Sequence, residues 1–553
     1  MRSYQAIWVI IGIALLLRVW TLGVPFTGDE NPWPYAAKDH SSAGFNFIID
    51  RDHDSFVWTS PPLAPLAYRF FTWPFGVNEA SMRLVPLIIG LVNIFLTFLL
   101  ARRLFEPKTA VFSAGIMAVS FWHVLSSFLI EHDSSFLALF WLLFFLSYSE
   151  YESRQETKWL ITAGIVLGLS LLTKLTGGLM LIVLGAYLLW QKKELKQPVI
   201  ECTKILGMGL AVFSAFPILS LLLNPAYFWE TIMHAGVLTL IPSLFSPVRI
   251  MIYLLLWATP LLAGLALLSL FEPDKRSRLL WCWSGIVVLF YVFTKYMGAI
   301  DRYMAVMIPA LAILAGRELA KRVDWQDVKR IIVFALPILG LLLLANLVPS
   351  VWLEHNVAEY LRRALTLKWG FVFPFHGGGG PAFMTSFVPL GIGLLASIGS
   401  FGWLVYCWLN DDEKQKTVFV VFASIALAFN LFLVQALILG APYPRVGDVT
   451  KTMAEEIVAD NLPKPYYVTD MNLAWYLKPG RDVYVIGDVY TDTQEEVERI
   501  EGIIKNRGGT VVITDFPKRL KTDNAWQIAG LCSLHKTFGS REMILGYVFV
   551  CTT

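Results

Sequence analysis

Runs of 15–26 predominantly apolar residues recur along this chain from residue 6 to residue 440 and then stop. No other pattern limits the fold so strongly, because a helix of about 20 apolar residues is what crosses a hydrocarbon core of roughly 30 Å. Candidate spans lie near 6–22, 84–101, 110–128, 134–149, 159–173, 176–190, 205–223, 249–270, 280–294, 303–318, 331–349, 384–409 and 417–440. Composition agrees: 56% of the residues are apolar and 16% charged, where a soluble chain carries about 25% charged. A single soluble core stops growing at about 250–300 residues, so lipid is the expected solvent for much of the chain. Disorder, collagen-like repeats and a small disulfide scaffold are excluded. The run Ile7–Leu22 has no small-residue cleavage site after it and reads as the first span rather than a signal peptide.

The basic residues set the orientation. Arg2, Arg102/Arg103/Lys108, Arg154/Lys158, the Lys192–Lys204 cluster, Lys275/Arg276/Arg278, Arg317–Arg330 and Lys414/Lys416 fall on one side, about 20 in all. About 10 fall in the longer loops opposite. This balance requires 159–190 to be a hairpin turning at Lys174-Leu175-Thr176-Gly177-Gly178, with the N-terminus cytoplasmic and the C-terminus outside. The net charge of +3 gives no sign of a nucleic-acid partner. Residues 1–440 then form a transmembrane domain with outer loops 23–83, 224–248 and 350–383, in a multi-pass protein of the plasma membrane.

After Gly440 the composition changes. Residues 445–553 hold 28 of the 87 charged side chains, twice the density of the rest. Asp448 is placed to cap a helix through Leu462, and Thr493 with Glu496 forms a capping box before a helix ending at Gly508-Gly509. Short β-rich runs lie at Tyr466–Thr469, Val483–Ile486 and Thr510–Thr514. Residues 441–553 are therefore expected to form a small extracytoplasmic α/β domain. The tail suggests a hairpin turning about Arg541/Glu542, which would face Cys532 to Cys551 on the oxidising side; two unrelated thiols are the alternative.

Charged groups near the outer boundary are scarce. Asp29-Glu30 follows the first span, and Glu131-His132-Asp133 fills the next short outer turn. A carboxylate there can accept a proton from an acceptor hydroxyl or amine, though each group also reads as an ordinary polar turn. Lys174 lies at the hairpin tip, Arg302 at the start of span ten and Arg83 at the start of span two. These cations can hold a phosphate or snorkel toward headgroups. Asp52, His53 and Asp54, in Asp50–Asp54, could bind magnesium, calcium or manganese, or form a self-paired solvated loop. Gly377–Gly380 lacks the lysine of a phosphate loop and reads as a flexible link.

These motifs, in this order, resemble the GT-C fold polyprenyl-phosphate-sugar glycosyltransferases, in particular the aminoarabinose lipid A transferases and the dolichyl-phosphate-mannose protein mannosyltransferase-like group. The resemblance rests on Asp29-Glu30, Ser60-Pro61-Pro62-Leu63, the stretch Phe75–Leu84, Asp133, Leu172-Thr173-Lys174 with the glycine pair, and Arg302-Tyr303 with Pro309 and Leu314-Ala315-Gly316. It implies inverting transfer of a sugar from a polyprenyl-phosphate carrier to a lipid, protein or glycan outside the cytoplasm. Asp29 would act as general base or position the acceptor, Glu30 and Asp133 would shape the site, and Lys174 with Arg302 would neutralise the departing phosphate, Arg83 being a further candidate. No cofactor is implied as a requirement, since a lipid-monophosphate donor does not need a cation. Ser60 stands where the aminoarabinose enzymes carry lysine, which leaves sugar and acceptor open. A transporter or flippase of lipid-linked saccharides is the alternative reading, but transporters place ionisable groups near the midplane, and here they lie at the boundary.

Overall fold

The computed structural model describes residues 2–30, 33–34, 37, 61–191, 196–223, 246–272, 274–293, 300–353, 357–376, 381–410, 412–477, 482–485, 494–514, 527, 529–540 and 543–552. Each expected span overlaps a helix among them. Six of these helices are long and apolar enough to cross a membrane: Glu79–Leu104, Lys196–Leu219, Lys275–Phe293, Trp325–Ala345, Phe387–Leu409 and Gln415–Leu439. A seventh is counted if the pair Ile250–Trp257 and Thr259–Leu268, bent by 101°, is one span. Tyr4–Val19, Pro107–Val119, Thr157–Leu171 and Leu175–Trp190 are shorter apolar helices. The expected hairpin is present, Thr157–Leu171 turning through Leu175–Gly178 into Leu179–Trp190. Gly177 permits that turn: a Cβ there would lie 2.2 Å from Ser170 Oγ.

Lipid offers no partner for backbone groups, so each break in a helix must be satisfied by protein. The break at Ser120 shows how. Asn430 donates to Val119 O (2.7 Å) and accepts from Phe121 N–H (2.9 Å) and Thr259 Oγ1 (3.2 Å), joining three elements. Around it packs an aromatic core that includes Trp122, Trp141, Trp283, Phe121 and Phe144, all buried. The outward face is apolar too. Val333, Leu336, Leu341 and Leu344 on Trp325–Ala345 are each more than half exposed, a surface that suits lipid and not water.

Basic residues gather at one end of the helices. Lys108 donates to Ala320 O and Val323 O, Arg276 to Leu104 O, and Arg278 to Trp190 O. Arg322 pairs with Glu272 and Glu318, and Lys416 with Asp327.

Two of the long loops hold structure that periodicity did not reveal. Loop 23–83 contains a helix Leu63–Thr72, and loop 350–383 contains a helix Val357–Leu365 followed by β1 (Val372–His376) and β2 (Pro381–Ser386), an antiparallel pair. These elements are short, and Leu63–Thr72 and the β1/β2 pair carry aromatic residues that read as interface composition. Gly377–Gly380 and 224–245 lie outside the described residues.

Gln415–Leu439 ends at Gly440, and the following helix runs Val446–Ala459. It begins earlier than Asp448, which sits in the first turn and pairs with Arg445 at 2.7 Å instead of capping. The strands are β3 (Tyr466–Val468), β4 (Val483–Val485), β5 (Gly509–Thr514), β6 (Ser533–Ser540) and β7 (Met543–Cys551). They form one sheet in the order β4-β3-β5-β7-β6, the first three parallel and the last two antiparallel. A short helix Met471–Tyr476, absent from the sequence reading, follows β3, and Gln494–Arg507 precedes β5. Thr493 lies outside the described residues. The β6/β7 register slips by one residue between Phe538 and Gly539 and slips back between Leu534 and Lys536. The two bulges cancel, and Cys532 meets Cys551 in a disulfide.

Candidate active site

Gly28, with φ +53°, lets the chain after the first helix fold into a single 3-10 turn, Gly28–Glu30. A turn this short has no cooperativity of its own and is held from outside. Glu30 and Arg83 form a bidentate pair, Nη1 to Oε1 at 2.9 Å and Nη2 to Oε2 at 2.8 Å, both groups buried. Glu30 also accepts from Thr27 N–H (2.9 Å) and Ile130 N–H (3.0 Å). Arg83 gives its remaining donors to Val24 O, Pro25 O and Phe128 O at 2.7–2.9 Å. All five guanidinium N–H groups are thus committed within the protein. The guanidinium also lies 4.0 Å over the Phe128 ring. The fully enclosed Arg83 fixes the acidic turn, and no donor is left for a substrate phosphate. A sequence shows that an arginine opens a span, not how many carbonyls surround it.

The second wall is the turn before helix Ser135–Arg154. Glu131 accepts from Asp133 N–H (2.8 Å) and Ser134 N–H (2.9 Å), and Tyr68 bridges Glu131 N–H and O. Asp133 is paired with Lys174, whose ammonium sits 4.0 Å over the Tyr303 ring. Tyr303 stacks on Tyr291 at 5.9 Å, and Arg302 stands 5.7 Å from the same Tyr303 ring. Leu63 N–H donates to Leu172 O (3.0 Å), fastening the segment after the Pro-Pro pair to the Lys174 turn.

Charge is sorted within this wall. Burial, then Asp133, pushes Glu131 up to about 8. Burial acts the same way on Asp133, but Lys174, then His132 and Arg302, overcome it and hold the carboxyl at about 2. Burial lowers His132 to about 4 despite Asp133 at 3.6 Å. The turn therefore favours the charged form on Asp133, facing Lys174, and the neutral form on Glu131.

Of the expected site residues, Glu30, Arg83, Asp133, Lys174 and Arg302 come together from five segments distant in sequence. Asp29 lies at the centre of the fixed turn; its backbone is described and its side chain is outside the description. Asp52, His53 and Asp54 lie outside the described residues. Among the described residues no group of three or more His, Cys, Asp or Glu side chains is arranged to hold a metal ion. Glu131, Tyr68 and Tyr303 were not expected in these roles; aromatic residues at a membrane boundary carry no signal that separates a site wall from an interface belt.

The C-terminal domain closes the arrangement. Asn472 Nδ2 donates to Gly28 O (2.9 Å), Phe26 N–H donates to Tyr476 Oη (2.7 Å), and Lys451 pairs with Glu79 at 2.8 Å.

Comparison with known proteins fits this geometry. A family model described as dolichyl-phosphate-mannose-protein mannosyltransferase matches residues 59–221. The structure is similar to that of ArnT from Cupriavidus metallidurans in the apo state, with a TM-score of 0.65 at 18% identity, over 100% of this chain and 98% of that one. ArnT bound to undecaprenyl phosphate gives 0.63 at 18% identity, over 98% and 97%. The archaeal oligosaccharyltransferase AglB from Archaeoglobus fulgidus, in complex with an inhibitory peptide and a dolichol-phosphate, gives 0.50 at 13% identity, over 93% and 69%. No curated protein matches the chain. The shared architecture is the GT-C fold, and it extends over the whole chain, C-terminal domain included.

Proposed function

We propose that this chain is an integral-membrane glycosyltransferase that moves a sugar from a polyprenyl-phosphate carrier to an acceptor outside the cytoplasm, with inversion at the anomeric carbon. The observation that carries the reading is the state of Lys174. Its ammonium is paired with Asp133, lies over Tyr303 beside Arg302, and keeps 22% of the side chain exposed, whereas Arg83 is sealed. A phosphate leaving group needs positive charge where its own charge develops, and Lys174 with Arg302 supplies it next to a fixed acidic turn.

In this reading the acceptor attacks the anomeric carbon from the face opposite the phosphate. The bond from that carbon to the phosphate oxygen breaks, the acceptor proton passes to Asp29, and the polyprenyl phosphate leaves against Lys174 and Arg302. Glu30 and Arg83 keep the base in place, and Asp133 orients Lys174. Thirteen crossings are assigned, with the basic helix ends cytoplasmic and the C-terminal domain outside. The ArnT structure with undecaprenyl phosphate supports a polyprenyl-phosphate donor. No cofactor is assigned as a requirement, the donor being a lipid monophosphate.

The test is single turnover in proteoliposomes with radiolabelled polyprenyl-phosphate sugars, comparing wild type with Asp29→Asn. An EDTA arm addresses any cation held by Asp52, His53 and Asp54. Sugar leaving the lipid in wild type and not in the variant is the expected result. Labelled lipid crossing the bilayer equally in both proteins, with no sugar consumed, would establish a flippase instead.

A further inference from the structure

In α/β sheets a ligand binds outside the carboxyl ends of the strands, where successive connections leave to opposite sides. In the C-terminal domain that point lies between β3 and β5, because β4 lies on one side of β3 and β5 on the other. The edge is built of buried polar side chains. Thr469 Oγ1 meets Thr514 Oγ1 at 3.0 Å, and Asp470 accepts from Asn472 N–H (2.9 Å), Asn472 Nδ2 (3.1 Å) and Thr450 Oγ1 (3.4 Å). Asp470 and Asn472 are each 1% exposed. What this edge receives is the chain's own acidic turn, through Asn472 Nδ2 on Gly28 O.

That contact has a specific mechanical effect. Gly28 O belongs to the peptide unit that ends at the Asp29 nitrogen, so Asn472 pins the plane on one side of the Asp29 Cα. The unit on the other side is pinned by Glu30 N–H on Thr27 O (3.1 Å). With both planes held, φ and ψ of Asp29 are set. Asp470 fixes the Asn472 carboxamide so that one N–H points at Gly28. Released from Asn472, the peptide plane between Gly28 and Asp29 loses this anchor, beside a glycine whose own torsions restrain it little.

We propose that Asn472 is a positioning residue for the transfer reaction, oriented by Asp470, and that the C-terminal domain is thereby part of the catalytic unit rather than an appended module. The role rests on the reading of Asp29 as the base.

The experiment uses the full-length protein in proteoliposomes, with Asn472→Asp (isosteric, without the donor), Asn472→Ala (uncharged) and Lys536→Met (which removes an exposed pair with Glu456 in the same domain). Three quantities are read: the single-turnover rate, equilibrium binding of a labelled polyprenyl phosphate, and hydrogen exchange in residues 24–30. A misplacement of about 1 Å costs roughly 100-fold in rate. Both Asn472 variants are expected to lose about that factor while binding the lipid within about 3-fold of wild type, with faster exchange confined to the turn. Lys536→Met should leave all three near wild type. Wild-type rates in the Asn472 variants, or equal losses of rate, lipid binding and protection across the whole domain, would overturn the proposal. If wild type transfers no sugar and the Asn472 variants still loosen the turn, the clamp stands and the transferase reading falls. If wild type transfers and the turn is unmoved, the reverse holds.

Discussion

Lys174 is assigned two partners, Asp133 and the donor phosphate, and replacing it separates them. The perturbation is Lys174→Met, which keeps the stem over Tyr303 and removes the charge, alone and together with Asp133→Asn. Asp133 is 5% exposed and its carboxyl is held below the ordinary 3.8. Burial works against that shift, and Lys174 leads the groups that outweigh it. Stranding a buried charge costs about 3–5 kcal/mol, and the 22% exposure of the Lys174 side chain moves the expectation toward about 2 kcal/mol. Thermal unfolding in detergent should show that loss in Lys174→Met and recovery to within about 1 kcal/mol in the double variant. Single-turnover transfer should fall about 100- to 1,000-fold in Lys174→Met, the effect of removing one preorganised donor, and should stay low in the double variant. If transfer returns along with stability, Lys174 serves only to balance Asp133 and its assignment to the phosphate is wrong.

Arg83→Lys leaves at most three donors for the five hydrogen bonds that Arg83 makes. It should destabilise the protein by about 2–6 kcal/mol, two orphaned groups at about 1–3 each, with donor affinity unchanged in the folded fraction, checked by unfolding and by lipid binding. The carboxyls of the outer turn should respond to pH with opposite signs. Asp133, lowered to about 2, contributes stability that is present above 3.8 and lost as the pH falls toward 2; Glu131, raised to about 8, contributes stability that is present below 4.5 and lost as the pH rises through 8. Unfolding temperature should therefore decline between pH 4.5 and 8, and Glu131→Gln should flatten that slope. Cys532→Ser opens a loop of sequence separation 19, worth about 3 kcal/mol in chain entropy; proteolysis of the β6–β7 hairpin should accelerate while transfer persists, and thiol labelling of the native wild type at these positions should fail until reductant is added.

The helices and the C-terminal domain were legible because apolar runs and charge density are local properties. The Trp159–Trp190 hairpin was found by the charge asymmetry of distant loops, and β3, β4 and β5 by their β-branched and aromatic runs. The boundary charges were legible as a set, since so few of them occur there. Their division of labour was not. Arg83 and Lys174 look equivalent in sequence, each a cation at the end of a span, and they differ in what surrounds them: three backbone carbonyls and a carboxylate around one, a single carboxylate and a ring beside the other. Those carbonyls come from residues 24, 25 and 128, in non-helical backbone after a helix, where acceptors have no intrahelical partner.

The same reasoning explains why Asn472 could not be read ahead of the fold. Its relevance depends on Gly28 O arriving at the carboxyl edge of a sheet that begins more than 430 residues later, and neither residue type signals a pair. Where two peptide planes must be held to aim one side chain, a single short turn cannot do it alone. Arg83 secures the Glu30 side, and Asn472 reaches Gly28 O from the C-terminal domain. A transmembrane domain expressed without residues 441–553 should therefore still bind polyprenyl phosphate through Lys174 and Arg302 yet transfer sugar at a rate no better than Asn472→Ala. Full transfer from that truncated protein would show that the acidic turn needs no clamp from outside the membrane.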